Sequence, residues 1–192
     1  MQGWILYYKK QSDLLEDSHG VNRLLEAAQS KNIKLKVFSP EQFELIVSRD
    51  DKKSVLIDGE HHKLPDFIIP RLGSNTSYFA LAILRQMEHL GVYVCNRAGS
   101  IEMVKDKLHI HQILAHSTLP TPKSMLLKFP VDIKTVKQEI GFPLIVKNIV
   151  GTEGKGIYLS ESEKRFMDLM EFISSNNSTA NIILQKFVKS SR

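Results

Sequence analysis

The sequence predicts an α/β protein in which a parallel sheet covered by helices is followed by a smaller α+β unit. Three observations carry that expectation. The apolar run Trp4 to Tyr8, the helical spacing of Val21, Leu24, Leu25 and Ala28, and the apolar run Ile33 to Phe38 form a strand–helix–strand unit, whose crossover implies parallel pairing. Leu119-Pro120-Thr121-Pro122 is a stiff connector, because each proline fixes φ and removes a backbone donor. From residue 123 onward the order strand, helix, strand, glycine loop, strand, helix, strand defines the second unit.

Each element has its own signal. Asp13, Glu16 and Asp17 stand before the first helix, where carboxylates favour the amino end, and are expected to cap it. Past Pro40, the runs Leu45 to Val47 and Val55 to Ile57, followed by Asp58-Gly59, suggest a small hairpin-like insertion. Phe67-Ile68-Ile69-Pro70 is a buried strand that delivers the polar loop Arg71-Leu72-Gly73-Ser74-Asn75-Thr76 to the sheet's carboxyl edge, where ligands gather. Phe79, Ile83, Met87 and Leu90 mark a helix stripe ended by Gly91, and Val92 to Cys95 returns as a strand. The first domain then closes, giving a division into residues 1–95 and 96–192. Cys95, on an apolar strand, is expected to be a packed core thiol.

Two short helices follow, Ala98 to Val104 and Lys107 to Ala115. In the second unit Lys123 to Leu127 is a strand, and Ile133, Val136 and Ile140 form a helix face that Gly141 ends. Leu144 to Lys147 and Ile157 to Leu159 are partner strands around the glycine loop. Ser160 to Glu163 has capping-box form ahead of the stripe Phe166, Leu169, Met170 and Ile173, and Asn181 to Val188 is the last strand.

Composition sets bounds on function. Of 192 residues, 42% are apolar and 24% charged, which excludes a disordered, collagenous or disulfide-stapled chain. Lysine and arginine number 26 against 21 acids, a net charge of +5 that suits an acidic or phosphate-bearing ligand. The lysines are scattered among acids, so no nucleic-acid partner is expected. Cys95 is the single cysteine, no apolar run reaches the length of a membrane span, and the cytoplasm is the expected location. His61 and His62 are adjacent and His109 and His111 two apart, which on a helix does not share a face, so no metal site is expected from them.

The chemistry concentrates near residue 150. Gly151, Gly154 and Gly156 form G-x-x-G-x-G between two apolar runs, and the strand that follows excludes both the P-loop and the dinucleotide fingerprint, which need a helix there. Two readings remain: a simple turn, or a hairpin tip that folds over a ligand and offers backbone N–H groups to phosphate oxygens. Lys147 favours the second. It ends a strand of three apolar residues, so its stem lies against the core and its ammonium emerges beside the loop. Lys107, after Asp106, reads more simply as a solvated surface lysine when taken alone.

Together, Lys105-Asp106-Lys107, Leu144-Ile145-Val146-Lys147, Gly151-Thr152-Glu153-Gly154-Lys155-Gly156 and Leu184-Gln185-Lys186-Phe187-Val188 resemble the ATP-grasp fold, specifically its RimK-type glutamate ligases. Pro70-Arg71-Leu72-Gly73, the stretch Leu84-Arg85-Gln86-Met87-Glu88 through Gly91, and Cys95-Asn96-Arg97 are similar to that family's amino-terminal domain. The resemblance implies a Rossmann-like pre-ATP-grasp domain at 1–95, then linker helices and the first, small α+β part of an ATP-grasp domain at 96–192. It implies that Lys107 and Lys147 contact the α- and β-phosphates of ATP, and that Gly151, Thr152, Glu153, Gly154, Lys155 and Gly156 form a flap over them. Gln185, Lys186 and Phe187 would lie along the adenine, with Lys186 standing where family members commonly have Glu. Arg71, Ser74 and Asn75 would face the acceptor substrate.

The implied reaction is ATP-dependent joining of a carboxylate to an amine through an acyl phosphate. Its implied substrates are glutamate or another amino acid and a carboxylate acceptor such as the carboxyl end of a ribosomal protein, with ATP and Mg2+ as cofactors. In the family the magnesium ligands lie in a second half that would begin after Arg192. The expectation is therefore a truncated amino-terminal portion with no catalytic residue or metal ligand of its own, inactive alone. The alternative is a non-catalytic nucleotide-binding or protein-interaction domain derived from such an enzyme. Whether the chain forms a homo-oligomer is left open.

Overall fold

The strand β1 (Gln2–Leu6) leads through α1 (His19–Ser30) to β2 (Lys34–Phe38), and β6 (Phe67–Pro70) leads through α2 (Tyr78–His89) to β7 (Tyr93–Val94). In the computed structural model, which describes residues 1–48, 54–73, 76–149 and 156–189, these strands form one parallel sheet ordered β2-β1-β6-β7. Ile5 lies level with Val37 on one side and Ile69 on the other. The connections run outward in opposite directions from the central pair, so the carboxyl ends of β1 and β6 flank a topological switch point.

Both faces of this sheet are apolar because both are covered. Trp4, Leu6 and Ile68 pack with Ala80, Ile83, Leu84 and Met87 of α2, while Ile5, Tyr7 and Val37 pack with Val21 and the half-buried Leu24 and Leu25 of α1. Each large side chain buried this way stabilises the fold by about 1.5–3 kcal/mol. Between β2 and β6, β3 (Phe43–Leu45), β4 (Val55–Ile57) and β5 (Glu60–His61) make a three-stranded antiparallel sheet, an extension of the hairpin-like insertion expected here. Asp58 and Gly59 turn its β4–β5 corner with φ of 51° and 79°, the conformation that an Asp-Gly pair favours.

Two expectations for this unit are corrected. Asp13, Glu16 and Asp17 do not cap α1: they lie in short 3-10 turns at Gln11–Asp13 and Glu16–Ser18, and α1 starts at His19 behind Ser18. Those turns spend the chain before the first helical N–H, and Asp17 pairs with Lys9 at 3.2 Å instead. Cys95 is exposed, not core. It lies two residues from the exposed Tyr93 on an edge strand, where alternate residues face outward while Val92 and Val94 face the core.

The second unit follows α3 (Ala98–Lys105) and contains α4 (Lys107–His116), β8 (Ser124–Leu127), α5 (Ile133–Glu139), β9 (Leu144–Asn148), β10 (Ile157–Ser160), α6 (Glu163–Asn176) and β11 (Ile182–Lys186). By packing, the chain divides into Met1–Glu102 and Met103–Arg192, within α3. Ala98 and Ile101 pack in the first core, whereas the division at residue 95 assigns them to the second unit.

β8, β9, β10 and β11 form an antiparallel sheet ordered β10-β9-β11-β8. Leu127, Leu144, Val146, Ile182 and Leu184 pack with Val136 of α5 and Phe166 and Met170 of α6. The cap of α6 is displaced from the expected position. Ser162 Oγ accepts from Arg165 N–H, while Ser160 is buried and paired with Leu144 in β10, so the strand register has already claimed it. Among the described residues no helix is long and apolar enough to cross a membrane.

Candidate functional site

Strand alternation decides which face of the second sheet carries chemistry. Leu144 and Val146 point to α5 and α6, so Ile145 and Lys147 occupy the opposite face, with Ile183 and Gln185 beside them on β11. Lys147 therefore lies on the face away from the α5/α6 core rather than with its stem against it.

Lys107 is brought to the same place by α4. Asp106 caps that helix, its Oδ1 accepting from the N–H groups of Leu108 at 2.9 Å and His109 at 3.0 Å, and so sets where Lys107 leaves the backbone. Lys107 Nζ donates to the carbonyl of Asn148, the residue after Lys147, at 2.8 Å. The two lysines converge. Burial, and secondarily the charge of Lys107, lower the pKa of Lys147 below the ordinary ammonium range. Holding a half-buried ammonium beside another cation is costly, and an anion next to Lys147 offsets that cost.

His111, one turn after Lys107, completes the cluster. Burial, then the charge of Lys147, lower its pKa. The Gln185 side chain is 3% exposed, and its Nε2 lies 2.8 Å from His111 Nε2 and 2.8 Å from Ser124 Oγ. Because an amide nitrogen only donates, His111 Nε2 is the acceptor; Nδ1–H then donates to Thr121 Oγ1 at 2.8 Å. A crevice of about 270 Å3 lies here, lined by Leu108, His111, Thr121, Pro122 and Ser124. A larger one, about 430 Å3, is lined by Phe129, Val131, Met167 and Met170, with Glu171 its only charged residue, and does not suit an anion.

Of the other residues expected at the site, Lys186 is exposed with its N–H donating to Lys123 O at 2.9 Å, and Phe187 is exposed beyond the end of β11. Gly156 takes a φ of 77°, and its carbonyl accepts from Asn148 N–H at 3.0 Å. Gly151, Thr152, Glu153, Gly154 and Lys155 lie outside the described residues, as do Ser74 and Asn75. Arg71 belongs to the first unit. Its N–H donates to Leu6 O at 2.8 Å, and its exposed guanidinium lies next to Gly20 near the start of α1. His111, Thr121 and Ser124 were not anticipated as site residues; the four-residue spacing of Lys107 and His111 on a helix was the available signal. Among the described residues no three His, Cys, Asp or Glu side chains stand together in a way that could hold a metal ion.

A two-sided parallel α/β unit, then an antiparallel sheet backed by two helices with paired lysines at a glycine hairpin, defines the ATP-grasp class. Two family models match this chain, the RimK pre-ATP-grasp domain over residues 14–101 and the RimK-like ATP-grasp domain over 104–192, and the chain belongs to the RimK-like ATP-grasp family. It is 31% identical over 172 residues to a probable alpha-L-glutamate ligase of Aliivibrio fischeri, covering 89% of this chain and 56% of that protein. A protein of the same description from Methanococcoides burtonii is 32% identical over 168 residues, 87% of this chain and 55% of that one. The chain thus spans little more than half the length of these relatives. In fold it is similar to a RimK domain ATP-grasp protein of Sphaerobacter thermophilus, with a TM-score of 0.68 at 15% identity, covering 99% of this chain and 65% of that one. The D-alanine–D-alanine ligase of Bacillus anthracis follows at a TM-score of 0.64 and 16% identity, with 98% and 58% covered.

Proposed function

We propose that this chain supplies the nucleotide-binding face of an ATP-dependent carboxylate–amine ligase of the glutamate ligase type. The observation that carries the reading is the convergence of Lys107 and Lys147 at the end of β9, where burial and the nearby charge of Lys107 leave the Lys147 ammonium in need of an anion. The α- and β-phosphates of ATP meet that need. Gly151 to Gly156 would close over them, and Gln185, Lys186 and Phe187 would border the adenine.

A carboxylate is a poor electrophile at neutral pH. In the proposed reaction its oxygen attacks the γ-phosphorus, the bond to the β-phosphate oxygen breaks, and ADP leaves with the electron pair. The amine then attacks the acyl carbon, phosphate departs, and the amine nitrogen loses a proton. Lys107 and Lys147 stabilise the charge that grows on the β-phosphate as that first bond breaks. Arg71, with Ser74 and Asn75, would hold the acceptor, the guanidinium matching a carboxylate. One solved relative, the ligase PsnB, is described in complex with Mg and ADP. The described residues here do not provide a carboxylate cage for such an ion.

The test is calorimetric titration of the chain with Mg-ATP. Micromolar affinity is expected, and Lys147→Ala should weaken it about 10- to 100-fold, the worth of one charge-assisted contact. A chain that binds no nucleotide would overturn the reading.

A further inference from the structure

We propose that the cavity between the loop after β1 and the outer edge of β2 binds a phosphate ester, with Lys10 and Lys36 holding its phosphoryl group and Phe38 supporting its organic part. The site lies wholly within the first unit, so the inference does not rest on the nucleotide reading and survives if that reading fails.

An imbalance of hydrogen-bonding groups carries it. The cavity, about 380 Å3, is walled by Lys10 and Gln11 from the loop after β1, Lys36 and Phe38 from β2, and Gln42 and His62 from the segment between β2 and β6, and no carboxylate lines it. Neither Lys10 nor Lys36 has an ion-pair partner among the described residues. Gln11 Oε1 accepts from Val37 N–H at 3.1 Å, satisfying an outward group of the edge strand, and this leaves the Gln11 NH2 to donate. The acids bonded to neighbouring side chains are already engaged. Asp13 accepts from Ser12 Oγ at 2.7 Å, Asp17 pairs with Lys9 at 3.2 Å, and Asp58 accepts from Gln42 Nε2 at 2.8 Å.

Two ammonium groups and an amide around one cavity favour an anion. Lysine is a point charge that engages phosphoryl oxygens from any direction, whereas a lone carboxylate is better matched by the planar fork of arginine, which this cavity lacks. The volume exceeds what a phosphoryl group fills. Phe38, half-buried and set edge-on to His62 with ring centroids 6.4 Å apart, offers an apolar surface to the remainder of an ester. Strand β2 also supplies an internal comparison. Lys34 and Lys36 lie on the same face of this edge strand, level with Gln2 and Trp4, as lysines guarding an edge against strand addition would. Of the two, only Lys36 lines the cavity. A general edge charge would serve at either position, and a ligand group at Lys36 alone.

The experiment titrates the full nitrogen-15-labelled chain with phenyl phosphate, benzoate and inorganic phosphate, at an ionic strength held constant with sodium chloride so that screening is equal throughout. The Val37 backbone amide and the Gln11 side-chain amide are followed by NMR, because both report on this cavity and neither on the second unit. Phenyl phosphate should saturate their shifts below about 10 mM and bind more tightly than either other probe. Lys10→Ala and Lys36→Ala should each weaken it about three- to tenfold, while Lys34→Ala and Lys147→Ala should leave it within about twofold. A titration that does not saturate, a probe without advantage over benzoate or inorganic phosphate, or an equal loss in Lys34→Ala overturns the inference. Loss in Lys147→Ala also overturns it, since the probe would then be acting through the second unit. Saturable binding by a chain that takes up no ATP upholds this site while overturning the ligase reading.

Discussion

Lys147 is maintained at a cost to the folded chain. Its pKa is lowered on folding, so the unfolded state accommodates the charge better, and at neutral pH the ammonium destabilises the native state. For a group with a depressed folded pKa, the associated stability is present above the unfolded value and lost as pH falls through the folded one. Lys147→Met should therefore raise the melting temperature of the nucleotide-free chain near pH 7 while abolishing ATP binding. The stability difference should shrink as pH climbs toward the ordinary lysine value, which thermal melts over a pH series would read. A variant no more stable than the parent near pH 7 would contradict the electrostatic account. At this scale the sequence singled out Lys147 because a charge after three apolar residues stands out, although strand alternation puts its stem on the face away from the α5/α6 core. Lys107 was not singled out, since what distinguishes it from a solvated lysine is a bond to the Asn148 carbonyl, 41 residues away.

Among the elements, α4 matters most, because one helix presents both Lys107 and His111. Its amino end depends on Asp106, whose carboxylate accepts two backbone N–H bonds. Asp106→Ala should cost about 1 kcal/mol of stability and, by fraying the turn that carries Lys107, weaken Mg-ATP binding more than it weakens folding. Paired denaturant and titration measurements would check this; an affinity that is unchanged would detach the cap from the site. Helix stripes were legible here because periodicity is local: Phe166, Leu169, Met170 and Ile173 all pack into the core as spaced. Caps were less so. Ser160 and Ser162 both precede α6 and both suit a cap, and only the pairing of Ser160 in β10 removes it from contention. The acids before α1 failed for a related reason, as two 3-10 turns stand between them and the helix.

For the whole molecule, the two units have separate apolar cores, one around Trp4, Ile83 and Met87 and the other around Val136, Leu144 and Phe166. Phe166→Ala empties a large volume in the second core and should destabilise that unit by about 3–5 kcal/mol. Hydrogen exchange should lose protection in β8, β9 and β11 while β1 and β6 keep theirs; equal loss in both units would show a single cooperative block. That the first sheet is parallel was open to inference, since a helical crossover between apolar runs admits mainly parallel pairing, whereas its strand order β2-β1-β6-β7 came from the structure. The division between units was harder to place, because Ala98 and Ile101 fall after the last strand of the sheet yet pack in its core.

Period, polarity and order along the chain were enough to reveal an α/β unit followed by a second sheet whose strands flank a glycine-rich segment, and to single out Lys147. These are properties of neighbours in sequence, set by backbone repeat and solvation. Which partners meet was decided by folding. The pairing of Lys107 with the end of β9, the His111–Gln185–Ser124 network and the exposure of Cys95 all depend on strand register and helix docking. A buried hydrogen bond between residues 74 positions apart leaves no periodic trace in either segment, because its energy appears only once both have been withdrawn from water.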